Sequence, residues 1–220
     1  MEQNNNKHVM IPLLWPDSQD GALVSDIISL KNYRQADIYI MVGAVVGKAG
    51  AVTLQKGTAV NSAATACAFS RYKSTGFILD YDAPSVDTPA AAGETVTGDG
   101  GGIGYVYKDL GGRLICYAHN GTTFVDDETL TFSGGKTATA NGIQKNEDIM
   151  VPCTATSNTF NIAAVGSKCY HIPISAEDLG DGYDCLELNI ADLDTTELAA
   201  FVILSEPRYM AETPETAIYD

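Results

Sequence analysis

Basic residues are scarce in this chain. Thirteen Lys and Arg stand against 28 Asp and Glu in 220 residues, a formal net charge of −15. Phosphate backbones are bound by clustered cations, so nucleic acid is not expected as a partner. Long apolar runs are missing too. No stretch approaches the roughly 20 residues that a membrane-spanning helix needs, so no membrane partner is expected. The apolar run ending at Trp15 is short for a secretory leader and lacks a small-residue cleavage site, so no targeting signal is expected. Cysteine is limited to Cys67, Cys116, Cys153, Cys169 and Cys185, an odd count with no C-x-x-C pair. That pattern excludes a small disulfide scaffold and a Cys-rich zinc site, and it fits reduced, buried thiols and assembly in a cytosol.

What the chain does have is an internal repeat. Residues 93–107, GETVTGDGGGIGYVY, align with residues 127–141, DETLTFSGGKTATAN, at an offset of 34 positions. Glu94 falls on Glu128, Thr95 on Thr129, Thr97 on Thr131, and Gly100-Gly101 on Gly134-Gly135. A repeat of this kind reads as two similar β units, each a short Thr-rich strand, a Gly-Gly turn and a return strand. A third hairpin is expected across Gly111-Gly112, pairing Tyr105–Val106 with Leu114–Tyr117.

Outside the repeat, period-two alternation dominates. In Ala36–Val46, Ile38, Ile40 and Val42 point one way while Tyr39 and Met41 point the other. Ala51–Gln55, Thr65–Tyr72, Lys168–Ser175 and Tyr183–Ile190 read as further strands, and Ala176–Gly182 as a turn. Leu198–Leu204, LAAFVIL, is a nearly continuous apolar run of the kind found in central strands. The expected fold is all-β: a jelly-roll-like β-sandwich with an inserted small β domain. Its expected organisation is an N-terminal arm over residues 1–20, a discontinuous sandwich over 21–74 and 154–205, an insert over 75–153 and a C-terminal tail over 206–220.

Several stretches imitate chemical motifs without meeting their requirements. GDGGGIG at 98–104 lacks the dinucleotide spacing and a following helix. Ser133–Thr137 ends like a phosphate loop, but Leu130 stands where glycine is required. Asp178, Asp181 and Asp184 lack the alternate-position ligands of a calcium loop. Asp192, Asp194 and Glu197 form a second acidic cluster. His8, His119 and His171 are scattered, and no nucleophile elbow is present. Asp80, Asp82, Asp126 and Asp127 match glycosidase carboxylates by residue type only. Tyr105, Tyr107, Tyr117 and Phe124 cluster in the insert, as sugar-stacking side chains or as ordinary cross-strand packing. No residue is therefore assigned a catalytic, cofactor-binding or metal role, and no enzyme activity is expected.

The stretches ISLKNYRQADIYIMVGAV from Ile28, AVTLQ from Ala51 and FVILSEPRY from Phe201 are similar in pattern to one group of proteins. They resemble the small β-sandwich virion proteins of tailed bacteriophages, of the head-decoration, cement or minor capsid type. The resemblance implies a protein that binds and stabilises the head shell, with the major capsid protein as partner and the capsid surface as location. It carries no catalytic residues. Symmetric self-association, such as a trimer, is expected because capsid sites are themselves symmetric. A neck or tail adaptor, and a host-glycan-binding β module, are the alternatives.

Overall fold

The structure is a computed structural model that describes residues 8–45, 48–87, 89–118, 120, 122–162 and 167–208. Its strands in chain order are β1 (His8–Gln19), β2 (Leu23–Val24), β3 (Ile28–Ser29), β4 (Tyr33–Val45), β5 (Gly50–Gly57), β6 (Thr65–Ala66) and β7 (Arg71–Asp82). There follow β8 (Thr95–Gly98), β9 (Ile103–Asp109), β10 (Arg113–Tyr117), β11 (Thr129–Phe132), β12 (Thr137–Ala140) and β13 (Lys145–Thr154). The last are β14 (Thr159–Ile162), β15 (Lys168–Ser175), β16 (Cys185–Ile190) and β17 (Thr196–Pro207), with a single helical turn α1 (Ala176–Leu179) after β15. The chain divides into two compact units, Met1–Tyr72 with Thr154–Asp220, and Lys73–Cys153.

The first unit is an antiparallel sandwich. One sheet has the order β1-β17-β4-β15. The other has the order β14-β5-β16-β2, with β3 also on β16 and β6 on β5. Treat β2 with β3 as one interrupted strand and β6 as an appendage of β5. The first sheet then takes the first, eighth, third and sixth strands, and the second takes the second, seventh, fourth and fifth. That is the strand order of a jelly roll.

Alternation explains the core. Ile38, Ile40 and Val42 of β4 are buried with Leu198, Ala200, Val202 and Leu204 of β17. Ile172 and Ile174 of β15 join them, against Val52, Leu54, Leu188 and Ile190 of the facing sheet. Each such aliphatic side chain contributes about 1.5–3 kcal/mol on full burial. Tyr33 also lies in this core, 1% exposed, and its hydroxyl has no hydrogen-bond partner among the described residues.

Three expectations need correction. Residues 8–19 are not an arm: they form β1, paired with β17 from His8↔Ser205 to Gln19↔Thr196. Ile11 and Leu13 enter the core from it, and an apolar run beside a strand with free amides gains both burial and pairing. Residues 1–7, like residues 209–220 of the expected tail, lie outside the described residues. The expected turn at 176–182 begins as α1, because Ser175 and Asp178 form a reciprocal capping box. Thr65–Tyr72 is not one strand. Only Thr65 and Ala66 pair with β5, and the chain re-enters a strand at Arg71.

The second unit contains a closed barrel. β7 pairs with β10, β10 with β9, β9 with β8, β8 with β11, β11 with β12, and β12 returns to β7. β13 pairs with β7 outside this ring. Closure leaves none of the six ring strands with a free edge along the ring. Phe77, Leu79, Val106, Leu114, Cys116, Phe124, Leu130 and Phe132 fill the interior.

The sequence repeat is a pseudo-two-fold axis within this barrel. β8 and β11 are its equivalent strands and they pair antiparallel at Thr97↔Thr131, with Val96↔Phe132 and Gly98↔Leu130 on either side. Offset by 34 positions, Val96 corresponds to Leu130 and Gly98 to Phe132, so each pair maps onto the other by rotation. The backbone bonds are reciprocal as well. Asp99 N donates to Thr129 O at 3.1 Å, and Ser133 N to Thr95 O at 2.9 Å. Val106 N donates to Glu94 O and Ala140 N to Glu128 O, both at 2.8 Å. The turns hold Gly101 at φ 92° and Gly135 at φ 78°, a region that favours glycine.

The two repeat glutamates make equivalent contacts. Glu94 Oε2 accepts from Ala91 N and Glu128 Oε2 from Val125 N, both at 3.0 Å. Glu128 Oε1 crosses the axis to accept from Gly100 N at 2.5 Å. Glu94 Oε1 likewise reaches the opposite turn, where a Cβ on Gly134 would meet it at 2.4 Å. Glu128 is 4% exposed and Glu94 is half-buried. This is why Glu recurs at 94 and 128 and glycine at 100 and 134, while Gly98 leaves room for the Glu128 carboxylate alone.

Candidate interaction surface

In the first unit, the face of the β1-β17-β4-β15 sheet that points away from the core is apolar. Register places its residues in rows. His171, Tyr39, Phe201 and Pro12 lie side by side, and Tyr39 stacks between His171 at 4.6 Å and Phe201 at 5.1 Å. The next row is Pro173, Asp37, Ile203 and Met10, and the row on the other side is Cys169, Met41 and Ala199. His171 Nε2 and Asp37 Oδ1 are 2.8 Å apart, tying two rows together. Burial and the nearby Asp37 and Cys169 raise the Tyr39 pKa. Met10 is 65% exposed, Met41 48%, and Trp15, further along β1, 74%.

Such a face is unusual because antiparallel sheets ordinarily turn a polar face to water. The three rows hold eleven positions, nine of them apolar, and at about 4.8 Å between strands and roughly 6.7 Å between rows those nine cover on the order of 300 Å². Apolar patches of that size on a monomer are commonly functional. The continuous apolar run of β17 was the sequence signal for it. Its inner residues are covered by the second sheet, whereas Ala199, Phe201 and Ile203 face outward.

At one end of this face β1 bulges away from β17, with register shifts between Pro12 and Leu14 and between Leu14 and Asp17. The bulge opens a groove of about 340 Å³ lined by Pro16, Asp17, Met41, Gly43, Glu197 and Ala199. Its walls are apolar apart from Ser18, whose backbone N donates to Asp17 Oδ1 at 2.8 Å, and the two carboxylates, neither of which has an ion-pair partner among the described residues. A Cβ on Gly43 would lie 2.9 Å from Glu197 Oε2, so glycine there lets the carboxylate lie over β4. A second depression, about 680 Å³, is lined by Arg34, Arg208, Glu177 and Glu206 together, so its charges offset one another.

The residues singled out from sequence do not converge on one site. Asp178 caps α1, and Asp192 and Asp194 both hold Lys48, at 3.0 and 3.2 Å. Asp80 is bound by Arg113 and Lys145, whose hydrogen bonds lower its pKa to about 2. Asp126 Oδ1 accepts from Gly142 N at 2.6 Å. His119 lies outside the described residues. The insert aromatics separate: Phe124 is in the barrel interior against Phe77, while Tyr105 stacks on Tyr117 across β9 and β10 at 5.7 Å. GDGGG and SGGK are two of the hairpin turns of the barrel, between β8 and β9 and between β11 and β12. All five cysteines are free thiols, and burial pushes Cys116 and Cys185 up to about 12 and Cys67 to about 11. Among the described residues no three His, Cys, Asp or Glu side chains gather as a metal site, and no helix is long and apolar enough to cross a membrane.

No protein-family model matches this chain, and no curated protein matches it in sequence. The geometry supports recognition by surface contact: a broad apolar sheet face, aromatic in its centre, with an acidic groove at one end.

Proposed function

We propose that this protein is a virion structural protein of a tailed bacteriophage, a capsid decoration or cement protein that binds and stabilises the head shell. The observation that carries the proposal is the apolar outer face of the β1-β17-β4-β15 sheet. Burying such a face against a shell subunit supplies binding energy without a cleft or a reactive group. Jelly rolls occur widely in viral capsid proteins, which agrees with the sequence resemblance. The partner in this reading is the major capsid protein, and symmetric shell sites favour a symmetric arrangement of copies.

Mass spectrometry of purified virions with copy counting tests it. Decoration requires copies on the order of hundreds per particle, as a symmetric shell demands. About a dozen copies indicates a neck adaptor at a single symmetric ring, and absence from the virion refutes the structural role altogether.

A further inference from the structure

We propose that the groove beside Met41 seats a Lys or Arg side chain from an apolar, basic-rimmed surface of the partner protein. The assignment rests on the decoration reading, in which that surface belongs to the shell. The groove combines two features that a basic side chain satisfies together. Met41, Ala199 and Pro16 provide an apolar lining for an aliphatic stem. Asp17 and Glu197 provide two carboxylates without a cationic partner among the described residues, in position for the charged head.

Charge also selects the occupant. The outward rows carry Asp37, and the groove adds Asp17 and Glu197, while no Lys or Arg stands in any of these rows. A second copy of this chain, itself at −15, would bring acid against acid and is disfavoured. A cationic partner is attracted at long range and then fixed in register by the groove. Trp15, next to Pro16 on β1, is the exposed apolar anchor beside it.

The test uses shells assembled without this chain, to which purified full-length protein is added, with bound copies counted after sedimentation. The variants are Asp17→Asn with Glu197→Gln, Asp17→Lys with Glu197→Lys, and Trp15→Ala. The control is Glu177→Lys with Asp181→Lys, one acid on α1 and one in the turn after it. Thermal unfolding confirms that each variant is folded. Neutralising the groove should weaken binding by about 10- to 100-fold and flatten its salt dependence, reversal should abolish it, and the control should stay within about twofold. Trp15→Ala should also weaken binding.

Wild-type binding by the neutralised and reversed variants overturns the assignment while leaving the decoration reading intact. Equal damage from the control also overturns it, because net charge alone would then explain the effect. Dimerisation of the free protein that groove reversal abolishes overturns it in favour of a second copy. If wild-type protein does not bind shells at all, the decoration reading fails and the assignment falls with it.

Discussion

Replacing Glu128 by Gln exchanges one carboxylate oxygen for an NH2 group at a site where both oxygens accept from backbone amides. Gly100 N donates to Oε1 at 2.5 Å and Val125 N to Oε2 at 3.0 Å, and the residue is 4% exposed. Whichever way the amide is turned, one N–H then faces another N–H with little room for water. The loss is one charge-assisted hydrogen bond plus an unsatisfied donor, about 2–3 kcal/mol. The symmetry-related Glu94 is an internal control. It has the same local contact, Ala91 N to Oε2 at 3.0 Å, but is half-buried, so water can replace what Gln loses. Glu94→Gln should cost under about 1 kcal/mol. Hydrogen exchange by mass spectrometry reads this in the barrel strands without interference from the sandwich. Protection in β8–β12 should fall by roughly 30- to 150-fold for Glu128→Gln and by less than about fivefold for Glu94→Gln. Equal effects from the two variants, or a Glu128→Gln cost below about 0.5 kcal/mol, would refute the claim that burial sets the strength of these pseudo-symmetric contacts.

Other consequences can be checked by unfolding experiments. Tyr33→Phe removes a buried hydroxyl without a partner among the described residues, so it should leave stability unchanged or raise it by about 0.5–1.5 kcal/mol in urea denaturation; a loss above about 1 kcal/mol would mean the hydroxyl is satisfied. Gly98→Ala places a Cβ 2.1 Å from the buried Glu128 Oε1 and should cost about 3 kcal/mol or more, whereas Gly134→Ala meets the half-buried Glu94, whose side chain has room to move aside, and should cost less than half of that. The Asp80 carboxyl is held at about 2 by hydrogen bonds from Arg113 and Lys145. Its folded pKa lies below the unfolded value, so the stability it contributes is present above about pH 4 and is lost as pH falls towards 2. Both cations are half-exposed, so solvent screening limits that contribution to about 1 kcal/mol. Asp80→Asn should flatten the acid limb of a stability–pH profile by that amount, and an unchanged limb would show that the network does not couple to folding.

Much of the fold was legible because it is written in short-range patterns. Period-two alternation identified β4, β15 and β16, and it assigned Ile38, Ile40 and Val42 to one face and Tyr39 and Met41 to the other. The Gly-Gly dipeptides marked three barrel hairpins, since those turns need positive φ. The interaction face was legible only in part. The unbroken apolar run of β17 showed that both its faces are hydrophobic, but not that one of them remains uncovered. Trp15 and Met10 were hidden in a segment whose polar first residues suggested an arm. Glu197 looked like one acid among many, because its place beside Met41 and Gly43 arises from strands far apart in sequence.

By itself, then, the sequence determined the class of structure, the direction in which each side chain along a strand points, and the duplication. Each depends on neighbours within a few residues, or on a comparison of the chain with itself. Only the tertiary structure decided that β1 joins β17, that the eight strands take jelly-roll order, and that the two repeat units pair about an axis while β12 closes onto β7. Strand pairing joins backbone amides and carbonyls, which every residue type but proline carries alike. Which strands meet is therefore set by how the whole set of apolar faces can be covered at once. In this chain that arrangement leaves the outer face of the β1-β17-β4-β15 sheet uncovered by its own sandwich, and that is the face proposed to meet a partner.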